Sequence, residues 1–431
     1  MPASANLPVE LWLIILSIAT HIPGAYDCNN EHAVACFVED EDGICLRRLH
    51  REATNTILSA CLVCKAWAEI SNEFLFRYLL VLDGAHAIRI ASALGNSGPK
   101  SASSDSPGRW TRRLELAMEG VHIWTQEHKR ALIRIFRSCP KLTVFSTAFC
   151  TSDVYLWQYL GLAHVVCNGL QGSRLRRLEL KYDSALLRTL LPHLAPTLEV
   201  VWVLPPIDRR TAGHPEQCTF ALPKVHTLAI SYQNLWTTEW TVPTLRTVIA
   251  GHDRDVCSSS PLTSFLRIHG AKVRHLVARP EERASRSHES ILTLCPNVVD
   301  WTTPEEGTYL QILEDRPTCP SLRLLTVDVS SVMRLPLVCR ILYASLATAG
   351  TFASLKCIRL RLPLPRAECS PPFQPGGFGF RCCEDLLEVC CRRGILVEVS
   401  LGMEEHFADC WRPFSVETLF PQNAALHRSV F

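Results

Sequence analysis

The chain has 431 residues, of which 20% are charged and 47% hydrophobic, the balance of a soluble globular protein with room for about two to three domains. The formal charge of +2 conceals an asymmetry, since residues 1–46 carry seven acids (Glu10, Asp27, Glu31, Glu39, Asp40, Glu41, Asp42) and no Lys or Arg. No basic run marks either end, which argues against nucleic acid as a partner. Twenty cysteines are scattered without framework spacing and no Asn-X-Ser/Thr acceptor occurs, so free thiols in a reducing compartment, cytoplasm or nucleus, are expected.

Leu11 to Ala19 is apolar, but Glu10 precedes it with no cation upstream, so it reads as a helix and not a signal-peptide core. No stretch reaches the ~18 apolar residues of a membrane span, and no membrane association is expected. Asn6 as cap, Pro8 in the first turn and Glu10 at the positive end of the dipole start this helix near Leu7 or Pro8. Leu7, Leu11, Ile14, Ile15 and Ile18 recur at helical spacing, with Trp12, Leu13 and Leu16 on the other faces, so the helix needs cover on several sides. A second helical pattern runs from Ile57 to Leu80. Between the two, residues 21–56 read as a loop or inserted segment, and residues 95–108, rich in Ser, Gly and Pro, read as a linker.

Beyond the linker an L-x-x-L-x-L pattern recurs in degenerate form. The clearest copies are Leu175, Leu178, Leu180; Val225, Leu228, Ile230; Leu322, Leu325, Val327; and Leu355, Ile358, Leu360. Weaker ones begin at Leu142, Leu198, Leu245, Val273, Val298 and Leu396, and steps from Leu142 to Leu355 run from 20 to 33 residues, straddling the leucine-rich-repeat period. Cys139-Pro, Cys295-Pro and Cys319-Pro each place a proline stop ahead of a strand, after helices expected at Ala131 to Ser138 and Tyr309 to Leu313. One strand and one helix cannot bury their shared face alone, so the expected architecture is α/β, a curved solenoid of stacked units over residues 109–431.

Leu7-Pro8-Val-Glu10-Leu11 with Ile15-Leu16, and later Leu62-Val63-Cys64-Lys65-Ala-Trp67, resemble the F-box motif over residues 1–80, less the insert. An F-box followed by irregular leucine-rich repeats is a familiar pairing, and the long break after the first helix is similar to a variant seen in mushroom-forming fungi. The family usually has an acid where Ile14 stands and a short turn where this chain has residues 21–56. The resemblance implies a non-catalytic substrate receptor of a cullin-RING (SCF-type) ubiquitin ligase. Its Skp-type adaptor, and through it the cullin, would be bound by Leu7, Pro8, Leu11, Ile15, Leu16, Leu62, Val63, Cys64 and Trp67, and a target protein by the repeats. The residues agree without the name: a small helical module apolar on several faces exposes a patch for a partner.

Chemistry is sparse. Cys61-x-x-Cys64 lacks a companion pair, and Cys28, His32, Cys36, Cys45 and His50 match no zinc spacing. Cys383, Leu386, Leu387, Cys390 and Cys391 form a packing stripe, and G-x-S-x-G, H-E-x-x-H and phosphate-loop motifs are missing. No enzyme activity, metal or cofactor is expected. Strand alternation places Arg113, Arg177, Lys181, Trp202, His275, Arg279, Arg359 and Arg361 on one outward face, a surface for acidic or phosphorylated substrate segments unless these are ordinary solvated charges interrupted by Glu115, Glu179, Asp300 and Asp328. The alternatives are a repeat scaffold without ligase association and a zinc protein built on the insert.

Overall fold

Short strands alternating with helices make a mixed α/β fold around a parallel sheet that does not close. The computed structural model describes residues 7–22, 24–26, 28, 44–95, 106–117, 124–147, 161–181, 184–204, 219–231, 239–251, 260–278, 291–304, 319–329, 331–348, 352–362, 378–401 and 412–413. Strands stand in the sheet in chain order, as expected where each crossover returns beside its predecessor. The chain divides into two compact units, Met1–Ala229 with Glu239–Thr244, and Ile230–Thr238 with Leu245–Phe431.

The first unit begins with α1 (Val9–Ala19), α2 (Ile44–Cys61) and α3 (Lys65–Leu75). Then come β1 (Tyr78–Val81), α4 (Gly84–Gly95), β2 (Arg113–Leu116), α5 (Gln126–Ser138), β3 (Val144–Ser146), α6 (Leu162–Leu170), β4 (Arg177–Lys181), α7 (Ser184–Leu194) and β5 (Val200–Leu204), with β6 (Thr227–Ser231) at the boundary. Leu114, Phe145, Leu178 and Val201 face one another along the ladder and are wholly buried under the helices. The neighbouring row, on the other face of the sheet, is Leu80, Glu115, Ser146, Glu179 and Trp202.

The second unit contains β7 (Thr247–Gly251), α8 (Ser260–His269), β8 (His275–Ala278), α9 (Ile291–Leu294), β9 (Asp300–Pro304), β10 (Leu324–Asp328), α10 (Leu335–Ala347), β11 (Cys357–Leu362), α11 (Phe378–Arg393), β12 (Leu396–Leu401) and an antiparallel β13 (Arg412–Pro413). Val248, Leu276, Trp301, Leu325, Ile358 and Val397 form its inner row. The first positions of the repeated pattern, from Leu142 through Leu355, are all buried: each sits in the turn ahead of a strand and plugs the core between helix and sheet. The last copy is displaced. Leu396 is 49% exposed, and Ile395, Val397 and Val399 fill the core instead, because Gly394, at φ 65°, ends α11 in a left-handed turn that sets the strand's phase.

Two expectations in the helical region are corrected. The pattern from Ile57 to Leu80 is two helices broken at residues 62–64 and then a strand, and residues 44–56 of the presumed loop are the start of α2. The helix expected at Tyr309 to Leu313 lies outside the described residues. Gly95 of the presumed linker closes α4, whereas Pro107–Trp110 is a 3-10 turn in which Gly108 is pressed against the Ser138 carbonyl. No helix among the described residues is long and apolar enough to cross a membrane.

The register makes a stability prediction. Leu178→Ala, at a site with no exposure, should cost about 2–5 kcal/mol in urea unfolding, whereas Leu396→Ala should stay within about 0.5 kcal/mol; equal effects would mean that the β12 phase is wrong.

Candidate interaction surface

Helix α1 is packed on its minority face. Leu16, with Leu13 beside it, enters a small core with Ile57, Ala60, Cys61, Trp67, Ile70, Phe74 and Leu75, and Trp12 packs on Trp67 at a tilt of 57° with ring centroids 4.1 Å apart. Pro8 stands at the N-cap and supplies no side-chain cap. The stripe Leu7, Leu11, Ile14, Ile15 and Ile18, at spacings of one to three helical turns, is in water, Ile18 at 73% exposure. In the turn between α2 and α3, Leu62 is 87% and Val63 60% exposed. Seven large aliphatic side chains are thus exposed on one small module, the kind of apolar surface that marks an interface where it is contiguous.

Of the residues proposed for adaptor binding, Leu7, Pro8, Leu11, Ile15, Leu62, Val63 and Cys64 are exposed. Leu16 is a correction: it is 5% exposed and belongs to the core, because it lies on the side of α1 turned toward Ile57 and Phe74. Trp67 is half-buried under Trp12. Ile14 and Ile18 belong to the exposed stripe and are absent from the predicted set, although their i, i+7 and i+11 offsets from Leu7 carry the signal.

The sheet's outward face in the first unit differs from expectation. β2 and β4 share the tetrad Arg-Leu-Glu-Leu and lie in register through β3, Arg113 to Val144 to Arg177. Two strand spacings, about 9.5 Å, separate them, and Ser146 between them is small enough to let charges meet. Arg113 donates to both oxygens of Glu179, Nη1 at 3.0 Å and Nη2 at 2.6 Å, and to Glu115 at 2.6 Å. Arg177 Nε lies 2.5 Å from Glu179 Oε1, Ser146 donates to Glu115 at 2.8 Å and Tyr78 hydroxyl lies 3.5 Å from it. All four charged side chains are fully buried.

Their cover is the segment that leaves α1. Arg177 Nη1 donates to the Gly24 carbonyl at 2.5 Å and Arg113 Nη1 to that of Ala25 at 3.3 Å. Ile22, Ala25 and Cys28 are buried, the Tyr26 ring meets Tyr78 edge-on, and His50 of α2 packs on the same Tyr78 ring at 4.4 Å. Arg113 and Arg177, proposed for a substrate face, are therefore structural: they point outward as strand alternation requires, but their own chain covers them. Trp202 is likewise buried, and Arg361 is nearly so, paired with Asp328 at 3.0 Å. Arg279 and the Lys181 side chain lie outside the described residues. His275, 3.7 Å from Asp300, and Arg359, 2.7 Å from Glu398, remain half-exposed on the second unit's face.

Electrostatics follow from this burial. Burial resists ionisation of Glu179, but Arg113 and Arg177 outweigh it and hold its carboxyl below the usual range. Burial pushes the Glu115 carboxyl up and pulls the Arg177 guanidinium down. Buried thiols are raised for the same reason, Cys139 to about 11 and Cys295 to about 12, leaving little thiolate for nucleophilic chemistry. Every described cysteine is a free thiol. No group of three or more His, Cys, Asp or Glu placed to hold a metal occurs among the described residues, and Cys28 and His50 of the suggested zinc set serve as core. Comparison of the chain with protein families and with curated proteins gives no match.

Two measurements probe this region. Glu179→Gln should destabilise by about 3–5 kcal/mol in denaturant, since two buried guanidinium groups lose their shared counterion, and Arg177→Met with Glu179→Met should cost less. Desolvation, aided by the Arg113 charge, pulls His50 down to about 4 from 6.5. The neutral ring is thus favoured in the folded state, so its contribution is complete above pH 6.5 and is lost as pH falls toward 4, up to about 3 kcal/mol. Thermal melts from pH 7 to 4 should show a steeper fall for wild type than for His50→Leu; parallel curves would remove His50 from the acid response.

Proposed function

We propose that this chain is a non-catalytic substrate receptor of a cullin-RING ubiquitin ligase, an F-box-like helical module followed by a solenoid of degenerate leucine-rich repeats. The observation that carries the reading is the inverted amphipathicity of α1, whose larger aliphatic face is left in water, as are Leu62 and Val63 in the turn between α2 and α3. Each such side chain is worth about 1.5–3 kcal/mol on burial, so a few suffice to anchor a complex after the costs of association. The residues involved are those that resemble the F-box motif, and the partner they imply is a Skp-type adaptor, with the cullin beyond it. The receptor's contribution is proximity: it raises the local concentration of a bound target beside the transferring machinery. The half-exposed His275 and Arg359 on the second unit's sheet face are the remaining candidates for target contact, and the target is a protein.

Co-expression of residues 1–431 with a Skp-type adaptor, followed by gel filtration, should yield a one-to-one complex. Leu11→Asp with Ile15→Asp should abolish it while changing unfolding free energy by no more than about 0.5 kcal/mol per site, because both residues are exposed already. A chain that ignores the adaptor, with an intact fold, would make the module a cap on a protein-binding scaffold.

A further inference from the structure

Helices α4, α5 and α6 lie side by side over the first unit's sheet. Their contacts are close at defined points: the His128 ring of α5 fills the space beside Gly84 at the start of α4, and Phe136 of α5 fills that beside Gly169 of α6. The start of α5 is fixed by a reciprocal cap, Thr125 hydroxyl accepting from His128 N–H at 3.3 Å and His128 Nδ1 accepting from Thr125 N–H at 3.2 Å. Ala131, Leu132, Ile135 and Phe136 anchor the inner face. The outer face is set by what remains.

That outer face is cationic. Arg130, Arg134 and Arg137 occupy one exposed stripe of α5, at offsets of four and three residues, and Lys141 continues it past the helix end. Arg89 of α4 and Arg174 after α6 are exposed on the flanks. Across the three helices Glu127 is the only acid. Among the described residues none of these six cations has an acidic partner, unlike Arg176 beside them, which is paired with Glu199. A charge excess of this kind on a chain of net charge +2 is concentrated on one layer, balanced by acids elsewhere.

We infer that this helical face is a docking surface for an acidic polypeptide segment of a partner protein. The chemistry selects among anions. None of the large exposed apolar side chains lies on α4, α5 or α6, so nothing is available to enter a bilayer. The helices expose no Phe, Tyr or Trp ring on which bases could stack, His164 of α6 being their one exposed ring. Guanidinium groups one helical turn apart, about 5–6 Å, match the roughly 6.7 Å between same-side residues of an extended chain, so successive carboxylates meet successive forks, which arginine binds bidentately. The surface lies on the helical side of the sheet, away from the face covered by Gly24 and Ala25, and owes nothing to the α1 patch.

The test uses the full chain and a fluorescein-labelled peptide of about ten glutamates, read by anisotropy in about 0.15 M salt, where charges beyond roughly 8 Å are screened. Saturable binding is expected. It should weaken at least about tenfold in Arg130→Glu/Arg134→Glu/Arg137→Glu, and as salt is raised, and be unaffected by Leu11→Asp. The three sites are exposed, so an unchanged melting curve is the control for folding. Equal binding by the triple variant, or none by wild type, would overturn the inference. So would tighter binding of short duplex DNA or of phosphatidylserine vesicles. A variant with Glu39, Asp40, Glu41 and Asp42 neutralised completes the set: if only that variant binds the peptide, the face serves the chain's own acidic segment and not a partner.

Discussion

Arg113 and Arg177 are withdrawn from water on adjacent-but-one strands, and the architecture around the first four strands answers that constraint. A guanidinium offers five N–H donors and cannot shed its proton, so its burial is tolerable only where acceptors surround it. Glu115 and Glu179 supply the counter-charge from the same two strands, leaving a quartet with no net charge. The main-chain carbonyls of Gly24 and Ala25 add one acceptor to each arginine. Because those carbonyls belong to the segment leaving α1, satisfying the arginines also fixes where α1 ends.

This arrangement accounts for the inverted helix. α1 is held at its C-terminal end by the covering segment, and at its side by Leu16 in the small core and Trp12 on Trp67. α3 passes within two residues into β1, and α2 presses His50 on the Tyr78 ring of that strand. The module is therefore joined to the sheet through three separate connections. Its position does not depend on burying the outer stripe of α1, so Leu7, Leu11, Ile14, Ile15 and Ile18 are released from any packing duty within this chain. An apolar surface that the fold does not need is free to be used in binding.

How much of this could be read from the residues depends on how local the cause is. The repeated apolar pattern located the buried rows because the period of a strand and the plug ahead of it are set within about six residues. It missed the phase of β12, where Leu396 looks as apolar as Ile395 and only the left-handed turn at Gly394 distinguishes them. The exposed side of α1 was visible as helical spacing, but which of its apolar faces turns inward depends on Ile57 and Phe74, some forty to sixty residues away. The fate of Arg113 and Arg177 was least legible. Alternation put them on the outward face correctly, yet their cover comes from residues 88 and 153 positions earlier in the chain. Nothing in Pro-Gly-Ala-Tyr announces a partner so distant.

The same alternation gives the second unit a different outward face. There the charges pair between neighbouring strands, His275 with Asp300, Asp328 with Arg361 and Arg359 with Glu398. His275–Asp300 and Arg359–Glu398 keep part of their surface in water, where pairs have small net energies, of the order of 0–1 kcal/mol, whereas Asp328–Arg361 is nearly buried. The quartet around Arg113 has no such surface, and exposing one member strands the other three. Strand charges of similar chemistry thus divide by dielectric environment: the quartet around Arg113 is committed to holding the fold, while His275–Asp300 and Arg359–Glu398 keep contact with water.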